Sequence, residues 1–342
     1  MDHPDILKQN PFLGRYLKNL SDKQVGQLIE KFGVEKIESK GPLNKIFLKE
    51  EGYLNSLYLL GAIHVVHYNI RETEVIADMG KRAYDKYIQM TIHYCISGHC
   101  EIQVQDGKYA YMEPGILCVE AHTDQGKKMK FYGRNYSGLE VSFEINRLKR
   151  EDKIFLERLG ISFDQIQKLQ EEREDDYIGR VTNSLKCCAE ELARLLKEGE
   201  ADLYTYLIEL VRYLNLIRVG NVDGNNSRIY LTKGQRKIVT EVYKYFAENL
   251  NTDVTVEQMA QKHNLSVVSL NKYFSVMHGE TINRYFTNYR LEKAASVMKE
   301  GRGSIADIAW SVGYQNQSKF SSAFKKKYGV TPMEFCRRNQ KK

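Results

Sequence analysis

Apolar and polar positions divide the chain into a helical start, a β-rich middle and a helical remainder. Residues 21–38 open with Ser21, a good helix N-cap, and continue with apolar side chains at helical spacing. From about 45 to 145, short runs rich in Ile, Val, Tyr and Phe are separated by turn residues, including Asp-Gly at 106–107. Several strands at such short spacing predict an all-β barrel or sandwich.

Helical spacing returns at about residue 151 and continues to the end of the sequence. Residues 182–199 begin with a capping Thr and end at a Gly, as a helix does. Residues 201–220 carry more apolar surface than one buried face needs, so this helix either lies in a core or pairs with another subunit. Its apolar positions are Leu203, Tyr206, Leu207, Leu210, Val211, Tyr213, Leu214 and Ile217. The Gly- and Asn-rich residues 220–228 predict a linker.

The last third of the chain contains an internal repeat, seen when residues 255–285 are aligned with 304–335. Thr255 and Ser304 each stand where a short helix needs an N-cap. Ala260 matches Ala309 at an offset of 49, and later positions match at an offset of 50, so one residue is inserted in the turn. The later pairs are Leu270 with Phe320, Phe274 with Phe324, Gly279 with Gly329, and Thr281 with Thr331.

Each half of the repeat follows the pattern of a helix-turn-helix unit. A small Ala lets two helices cross closely, and an apolar pair at i and i+4 docks the second helix on the first. Docking by Phe320 and Phe324 would direct Gln317, Ser318, Lys319, Ser321 and Ser322 partly outward. Short polar side chains can reach base edges in a major groove about 12 Å wide. Lys325–Lys327 would then lie near phosphates.

The alternative for one half alone is an ordinary helical hairpin with a solvated polar face. Two copies joined by a predicted helix, residues 282–301, argue for DNA binding instead. The charge distribution agrees: residues 228–342 contain 20 Lys/Arg and 9 Asp/Glu, a net +11, whereas residues 1–227 contain 31 and 35, a net −4. Such an asymmetry favours contact between the C-terminal third and a polyanion.

The repeat resembles the AraC/XylS family of bacterial transcription regulators over about 100 C-terminal residues, because its linker-helix and second-unit motifs both match. The linker helix carries Arg290, Leu291 and Ala294, and the signature Ile-Ala-x-x-x-Gly-Tyr stands at residues 308–314. The Phe-Lys-Lys, Gly and Thr-Pro elements stand at 324–326, Gly329 and 331–332.

This resemblance implies that the second helices of both units enter successive major-groove segments on one face of double-stranded DNA. The implied contact residues of the first unit are Val268, Asn271 and Lys272. Those of the second unit are Gln317, Ser318, Lys319, Ser322, Lys325 and Lys326. Asn271 and Gln317 suit bidentate contacts to adenine, and Val268 suits only a thymine methyl group.

The β-rich region resembles, more loosely, the cupin-like sensor domain of such regulators. The matching segments are Ile96–Gly98, the hairpin at 107–109, Pro114-Gly115 and Gly138–Phe143. Within the predicted strand 87–96, one alternating face packs and the other lines a pocket or meets solvent. For a small effector, the sequence offers four candidate ligand-binding residues: Arg82, His93, His122 and Glu140. The resemblance also implies that the helices at 182–218 dimerise.

Catalytic and metal chemistry find little support in the sequence. His64 and His67 are three apart, which puts them on opposite faces of a strand, and His93 and His99 lack the His-x-His spacing of metal-dependent cupins. The six cysteines form no Cys-x-x-Cys pair, so we expect small buried hydrophobes rather than a zinc site. We therefore predict no catalytic residue, no metal and no cofactor.

The predicted fold class is α+β and multidomain: an N-terminal cupin-like β-barrel with flanking helices, followed by an all-α double helix-turn-helix domain. The predicted parts are a helical segment at 1–44, a sensor barrel at 45–150, a helical dimerisation region at 151–219, a linker at 220–232 and a DNA-binding domain at 233–342. The helix-turn-helix units within the last are 255–277 and 304–327.

The sequence thus predicts a cytoplasmic, dimeric regulator of transcription that responds to a small effector and, by resemblance, activates RNA polymerase. No apolar run approaches the roughly 18–20 residues that span a bilayer, and the N-terminus lacks a signal-peptide pattern. One alternative is a ligand-independent DNA binder whose barrel only dimerises or binds a protein. Another is a cupin-type metalloenzyme with a DNA-binding tail.

Overall fold

The computed structural model describes residues 33–70, 76–78, 90–103, 109–121, 128–162, 177–218, 222–223, 230–251, 254–301 and 303–339. The chain divides into two compact units, Met1–Tyr230 and Leu231–Lys342. The first is built on an antiparallel sheet and the second is helical, which confirms the predicted fold class.

The N-terminal unit contains most of the strands. They are β1 Val34–Lys40, β2 Leu43–Leu48, β3 Gly52–Leu59, β4 Ile63–Ile70, β5 Ile76–Asp78, β6 Met90–Gln103, β7 Tyr109–Met112, β8 Ile116–Ala121, β9 Lys128–Phe143, β10 Tyr177–Val181 and β11 Val222–Asp223, with β12 Tyr230–Leu231 at the boundary. The hydrogen-bonded order is β1-β2-β3-β4-β9-β6-β8-β10-β11. The long strands β6 and β9 pair with each other along most of their length and lie in the middle of the sheet.

One face of this sheet packs against two helices, α2 Asn183–Glu198 and α3 Leu203–Arg218; a shorter helix, α1 Arg150–Arg158, precedes them. The core includes Val65 of β4, Ile92 of β6 and Val141 of β9, all fully buried. Lys45 of β2 donates to the carbonyl oxygens of Lys197 and Glu198 at 3.0 Å each, which satisfies the C-terminal end of α2. The helix predicted at 182–199 is thus observed almost in full.

The opposite face of the same sheet carries a row of buried polar side chains among apolar ones. Cross-strand pairing aligns Ser142 with Thr91 and Glu140 with His93, where β9 meets β6. His64 lies on this face of β4, next to Ser142, whereas His67 lies on the helix-facing side. Burial and the charge of Lys197 lower the pKa of His67 to about 4, so this imidazole is neutral at pH 7.

Three predicted boundaries differ from the structure. Residues 34–44 form β1 and the start of β2, not the end of a helical segment, and residues 1–32 lie outside the described part. The region predicted as helical contains β10, which pairs with β8, and the predicted linker contains β11. Short strands that join a sheet edge carry little local signal, because their stability comes from partners distant in sequence. The hairpin predicted at 106–107 also lies outside the described residues.

The C-terminal unit contains seven helices among its described residues. They are α4 Lys233–Glu248, α5 Val256–Lys262, α6 Val267–His278, α7 Ile282–Lys299, α8 Ile305–Ser311, α9 Gln317–Tyr328 and α10 Pro332–Asn339. The pairs α5–α6 and α8–α9 are the two predicted helix-turn-helix units, and α7 connects them. Aromatic rings pack α4 against α7 and α6: Phe246 lies 5.3 Å from Phe286 of α7, and Tyr243 stacks on His278 of α6 at 5.0 Å between ring centroids.

Candidate nucleic-acid interface

The first helix of each unit is capped in the same way. Thr255 accepts a hydrogen bond from the Gln258 backbone N–H at 3.3 Å, and the Gln258 side chain accepts one from the Thr255 backbone N–H at 2.9 Å. Ser304 and Asp307 form the equivalent reciprocal pair in the second unit. These capping boxes satisfy backbone donors that the start of a helix leaves unpaired, so both α5 and α8 begin where the repeat predicts.

The turn of each unit also has the same geometry. Asn264 and Gly313 adopt left-handed backbone conformations, with φ of 55° and 87°. The next residue in each unit, Leu265 or Tyr314, donates its backbone N–H to the carbonyl of Ala260 or Ala309 at 2.9 Å. Both alanines are almost fully buried, as close crossing of two helices requires. The repeat is therefore a repeat of structure and not only of sequence.

The second helices are held by the apolar pairs that the sequence predicts. Leu270 and Phe274 on α6, and Phe320 and Phe324 on α9, have no exposed surface. Ser266 and Asn316 cap the two helices by accepting from backbone N–H groups three residues later, each at 3.0 Å. Gly279 and Gly329 end them in left-handed conformations with φ of 79° and 74°.

The exposed face of α9 consists of short polar and basic side chains. All six residues predicted as DNA contacts of the second unit are exposed on this face: Gln317, Ser318, Lys319, Ser322, Lys325 and Lys326. Ser321, which is half-buried, turns partly inward. The face is long enough for a groove contact, and Phe320 and Phe324 beneath it fix its orientation.

Lys327 does not share this exposed face. Its ammonium group donates to the Asn288 carbonyl oxygen at 3.0 Å and lies 2.7 Å from a carboxylate oxygen of Glu292, both on α7. Of the three lysines expected near phosphates, Lys327 is thus the one engaged with α7 within the protein. A run of identical charges in sequence cannot show this, because successive helical residues point about 100° apart.

The surface of α6 is different. Val268 is 79% exposed, and Lys272 is exposed. Asn271 is half-buried, and its Oδ1 accepts a hydrogen bond from the Ile282 backbone N–H at 3.0 Å. This bond ties α6 to the first residue of α7. A bidentate contact to adenine would use the same oxygen, which here already accepts the bond from the start of α7.

Two of the four proposed ligand-binding residues are described, and they lie together. His93 Nδ1 is 3.4 Å from a carboxylate oxygen of Glu140, and Ser142 Oγ donates to the other carboxylate oxygen at 3.0 Å. Thr91 extends the cluster, with its hydroxyl 3.2 Å from Ser142 Oγ. His93, Thr91 and Ser142 are buried, and Glu140 is nearly so. Arg82 and His122 lie outside the described residues.

Across the described ranges, no group of three or more His, Cys, Asp or Glu is arranged to hold a metal ion. Over the same ranges, no helix combines the length and the apolar character that crossing a membrane would need. Four cysteines are buried, Cys187 is exposed and Cys336 is half-buried.

Known proteins match the C-terminal part of the chain. Residues 259–338 match the family described as "Helix-turn-helix domain". The HTH-type transcriptional activator RhaS of Mannheimia succiniciproducens is 29% identical over 94 residues, which are 28% of this chain and 35% of that protein. RhaS of an Escherichia coli O139:H28 strain is 25% identical over 145 residues, which are 40% of this chain and 49% of that protein. The chain thus spans about half, or less, of the length of these curated relatives.

Among solved structures, an apo ToxT variant from Vibrio cholerae aligns over 80% of this chain and 96% of its own, at 13% identity and a TM-score of 0.32. A score at that level supports no conclusion about function. The family match and the duplicated geometry agree that residues 259–338 of the C-terminal unit form a helix-turn-helix domain. The family resemblance of the sequence is confirmed for this part of the chain.

Proposed function

We propose that this chain is a sequence-specific regulator of transcription in which α6 and α9 enter successive major-groove segments of one DNA duplex. The observation that carries the proposal is the pairing of two equivalent units, each with a second helix fixed from below by a buried apolar pair. In the second unit, that helix presents short polar groups and lysines to solvent. These groups suit base edges and phosphates respectively.

Individual roles follow from exposure and chemistry. Gln317 is exposed, and its side-chain amide offers the acceptor and the donor of a bidentate contact to adenine; Ser318, Lys319 and Ser322 flank it. Lys325 and Lys326 neutralise phosphates. In the first unit, Val268 is exposed for a thymine methyl group and Lys272 for a phosphate or base. We assign Asn271 a positioning role instead of the bidentate contact, because its oxygen holds the start of α7.

A direct test compares Gln317→Ala with Lys326→Ala on duplexes selected by the wild-type protein from a random-sequence library. Gln317→Ala should reduce discrimination at one base pair by about 1–3 kcal/mol and leave other positions unchanged. Lys326→Ala should weaken binding to every sequence and lower the slope of log K against log salt by about 0.9.

Lys237 is the matched control for charge, because it is a highly exposed lysine on α4 outside both units. Lys237→Ala should leave the salt slope within error of the wild type. An unchanged base preference in Gln317→Ala would show that α9 is not oriented into the groove as proposed. Failure of the wild-type protein to enrich any duplex would reject DNA recognition altogether.

For the N-terminal unit we propose binding of a small polar effector at the buried face that carries Thr91, His93, Glu140 and Ser142. A small-molecule site typically combines apolar walls with a few convergent polar groups, and this buried polar row, which includes a His and a Glu side by side, has that composition. Effector binding would then shift the population between arrangements of the DNA-binding domains. Thermal unfolding of the full chain with a metabolite panel tests this, and Glu140→Gln should abolish any stabilisation found.

The two alternatives give different results. A ligand-independent regulator would show no thermal shift with a broad panel while still selecting DNA. A cupin-type metalloenzyme would retain stoichiometric metal after purification, and metal analysis decides this. Because the matched relatives are named transcriptional activators, we propose activation in the cytoplasm through RNA polymerase, which a reporter gene behind a selected site would measure.

We further propose that a second copy of the chain pairs through α3. One face of this helix is in the core, with Tyr206, Leu210 and Tyr213 buried. Its other face leaves Tyr204 77% and Ile208 64% exposed, one helical turn apart. Ile208→Glu should weaken the dimer by at least about tenfold in sedimentation experiments, because it places a charge in an apolar interface. Lys36→Glu, on the exposed strand β1, should leave it unchanged.

A further inference from the structure

Three elements of the C-terminal unit meet at one backbone carbonyl, that of Leu250. Leu250 follows α4, whose aromatic side chains pack on α6 of the first helix-turn-helix unit and on the start of α7. The guanidinium of Arg290, in the middle of α7, donates from Nη2 to the Leu250 oxygen at 2.7 Å. Gly313, in the turn of the second unit, lies against the same oxygen: a Cβ added there would come within 2.2 Å of it.

The turn itself does not require a residue without a Cβ at this place. Asn264 occupies the corresponding position in the first unit and adopts a left-handed conformation with its side chain in place. Asn tolerates that conformation well. The restriction at Gly313 therefore comes from the Leu250 carbonyl, which belongs to the segment after α4 and not to the turn.

Arg290 makes this contact at a cost. The side chain is half-buried, and burial lowers the pKa of its guanidinium. A buried charge is retained where its hydrogen bonds offset the lost hydration. A hydrogen bond from a charged donor to a carbonyl oxygen is stronger than one between two neutral groups. The Arg290 Nε atom lies 3.3 Å from the position of the added Cβ, so the guanidinium also borders Gly313.

The connecting helix α7 holds both second helices as well. Asn271 of α6 accepts from the first residue of α7, and Lys327 of α9 donates to Asn288 and Glu292 further along it. The contact at Leu250 adds a direct link between the first unit's side of the domain and the turn of the second unit. Without that link, the two helix-turn-helix units would be connected mainly through α7, by its chain and by its packing.

We propose that Arg290, the Leu250 carbonyl and Gly313 form a joint that fixes the rotation and separation of α6 relative to α9. The joint thereby sets the number of base pairs that must lie between the two DNA segments these helices bind. Arg290 and Gly313 are positioning residues in this assignment and contact no base. The inference rests on the proposed DNA recognition, since spacing has meaning only if both helices bind one duplex.

The test measures spacing preference, which a purely stabilising contact would not set. The probes are a duplex that the full-length wild type selects from a random library and the same duplex with one base pair inserted or removed between its halves. One base pair rotates the second half by about a tenth of a turn, so the wild type should prefer the selected spacing by about tenfold. Gly313→Asn and Arg290→Ala should reduce this preference to about threefold or less while each half-site keeps its base preference.

Gly329→Asn is the matched control. Gly329 has a similar left-handed φ of 74°, but nothing lies within 4 Å of its added Cβ, so this variant should keep the wild-type spacing preference. Arg290→Met keeps much of the length of the side chain without any donor, and it replaces Arg290→Ala if the latter is unfolded by circular dichroism. Wild-type spacing preference in folded Gly313→Asn, Arg290→Ala or Arg290→Met would overturn the joint, as would a wild type indifferent to the inserted base pair. Absence of any selected duplex would instead reject the proposed DNA recognition.

Discussion

The two helix-turn-helix units have one framework and two different surfaces. Both begin with a capping box, turn through a left-handed residue and bury an apolar pair from the second helix. On α9 the exposed face carries Gln317, Lys319 and further polar groups, whereas on α6 it carries Val268 and Lys272. Duplication has preserved what packs and has changed what faces outward.

The clearest difference lies where the next helix begins. In the first unit that helix starts at Ile282, whose backbone N–H needs an acceptor and receives one from Asn271 of α6. In the second unit the equivalent residue is Pro332, which has no N–H, and the equivalent of Asn271 is Ser321. Thr331 and Glu334 cap that helix without help from α9. The second unit therefore needs no side chain of α9 to start its next helix.

The shared framework predicts large and equal losses of stability when the buried aromatic residue of either apolar pair is replaced by Ala. Phe274→Ala and Phe324→Ala should each destabilise the C-terminal unit by about 3–5 kcal/mol, because both rings are fully buried and leave a cavity. Urea unfolding monitored by circular dichroism measures this. Val268→Ala, at an exposed position, should change stability by less than about 0.5 kcal/mol. Losses that differ by more than twofold between the two phenylalanines would break the equivalence of the units.

The junctions between each second helix and the helix that follows it predict unequal losses of stability in the two units. Asn271→Ala should cost about 1–3 kcal/mol, because it leaves the Ile282 N–H without its acceptor. Ser321→Ala should cost less than about 0.5 kcal/mol, because Pro332 has no donor to lose. Unfolding of the two variants under the same conditions compares them directly. Equal effects would show that Asn271 does not hold the start of α7.

The two capping boxes predict equal losses of stability in the two units, smaller than those of the apolar pairs. Thr255→Ala and Ser304→Ala should each cost about 1 kcal/mol, the usual contribution of a helix N-cap. Thr255→Ser and Ser304→Thr retain a hydroxyl acceptor and serve as controls that should stay near wild-type stability. A large loss in one unit with none in the other would mean that only one first helix depends on its cap.

The smallest expected change in stability distinguishes the roles of two adjacent lysines, Lys326 and Lys327. Lys327→Ala should lower stability by up to about 1 kcal/mol, because it removes the contacts with Asn288 and Glu292. Lys326→Ala, at an exposed position, should leave stability unchanged and weaken DNA binding. Measuring unfolding and DNA affinity on both variants distinguishes them. A drop in the salt slope for Lys327→Ala equal to that for Lys326→Ala would place Lys327 at the phosphates after all.

Much of the helical unit could be predicted because its signals are local. Caps at Thr255 and Ser304, buried alanines at the crossings and apolar pairs at i and i+4 all act within one or two turns of chain. The repeat then doubled each signal. The N-terminal sheet was predicted as a class, but β1, β10 and β11 were not, since a strand's stability depends on partners that may be a hundred residues away.

Side-chain roles were harder to predict than elements. Lys325, Lys326 and Lys327 are alike in sequence, yet only the last faces α7. Asn271 has the chemistry of an adenine contact, yet its oxygen lies beside the start of the next helix. His93 and Glu140 are 47 residues apart in sequence, yet they are cross-strand neighbours because the register of β6 against β9 places them together.

The sequence by itself determined the order of the elements, the duplication and the polar, basic character of α9, because these depend on residue type and spacing over short stretches of chain. Tertiary structure alone decided which polar groups are left for a partner and which hold the domain together. Asn271, Arg290 and Lys327 are bound to groups 11, 40 and 35 or more residues away, and contacts over such separations arise only once the chain has folded.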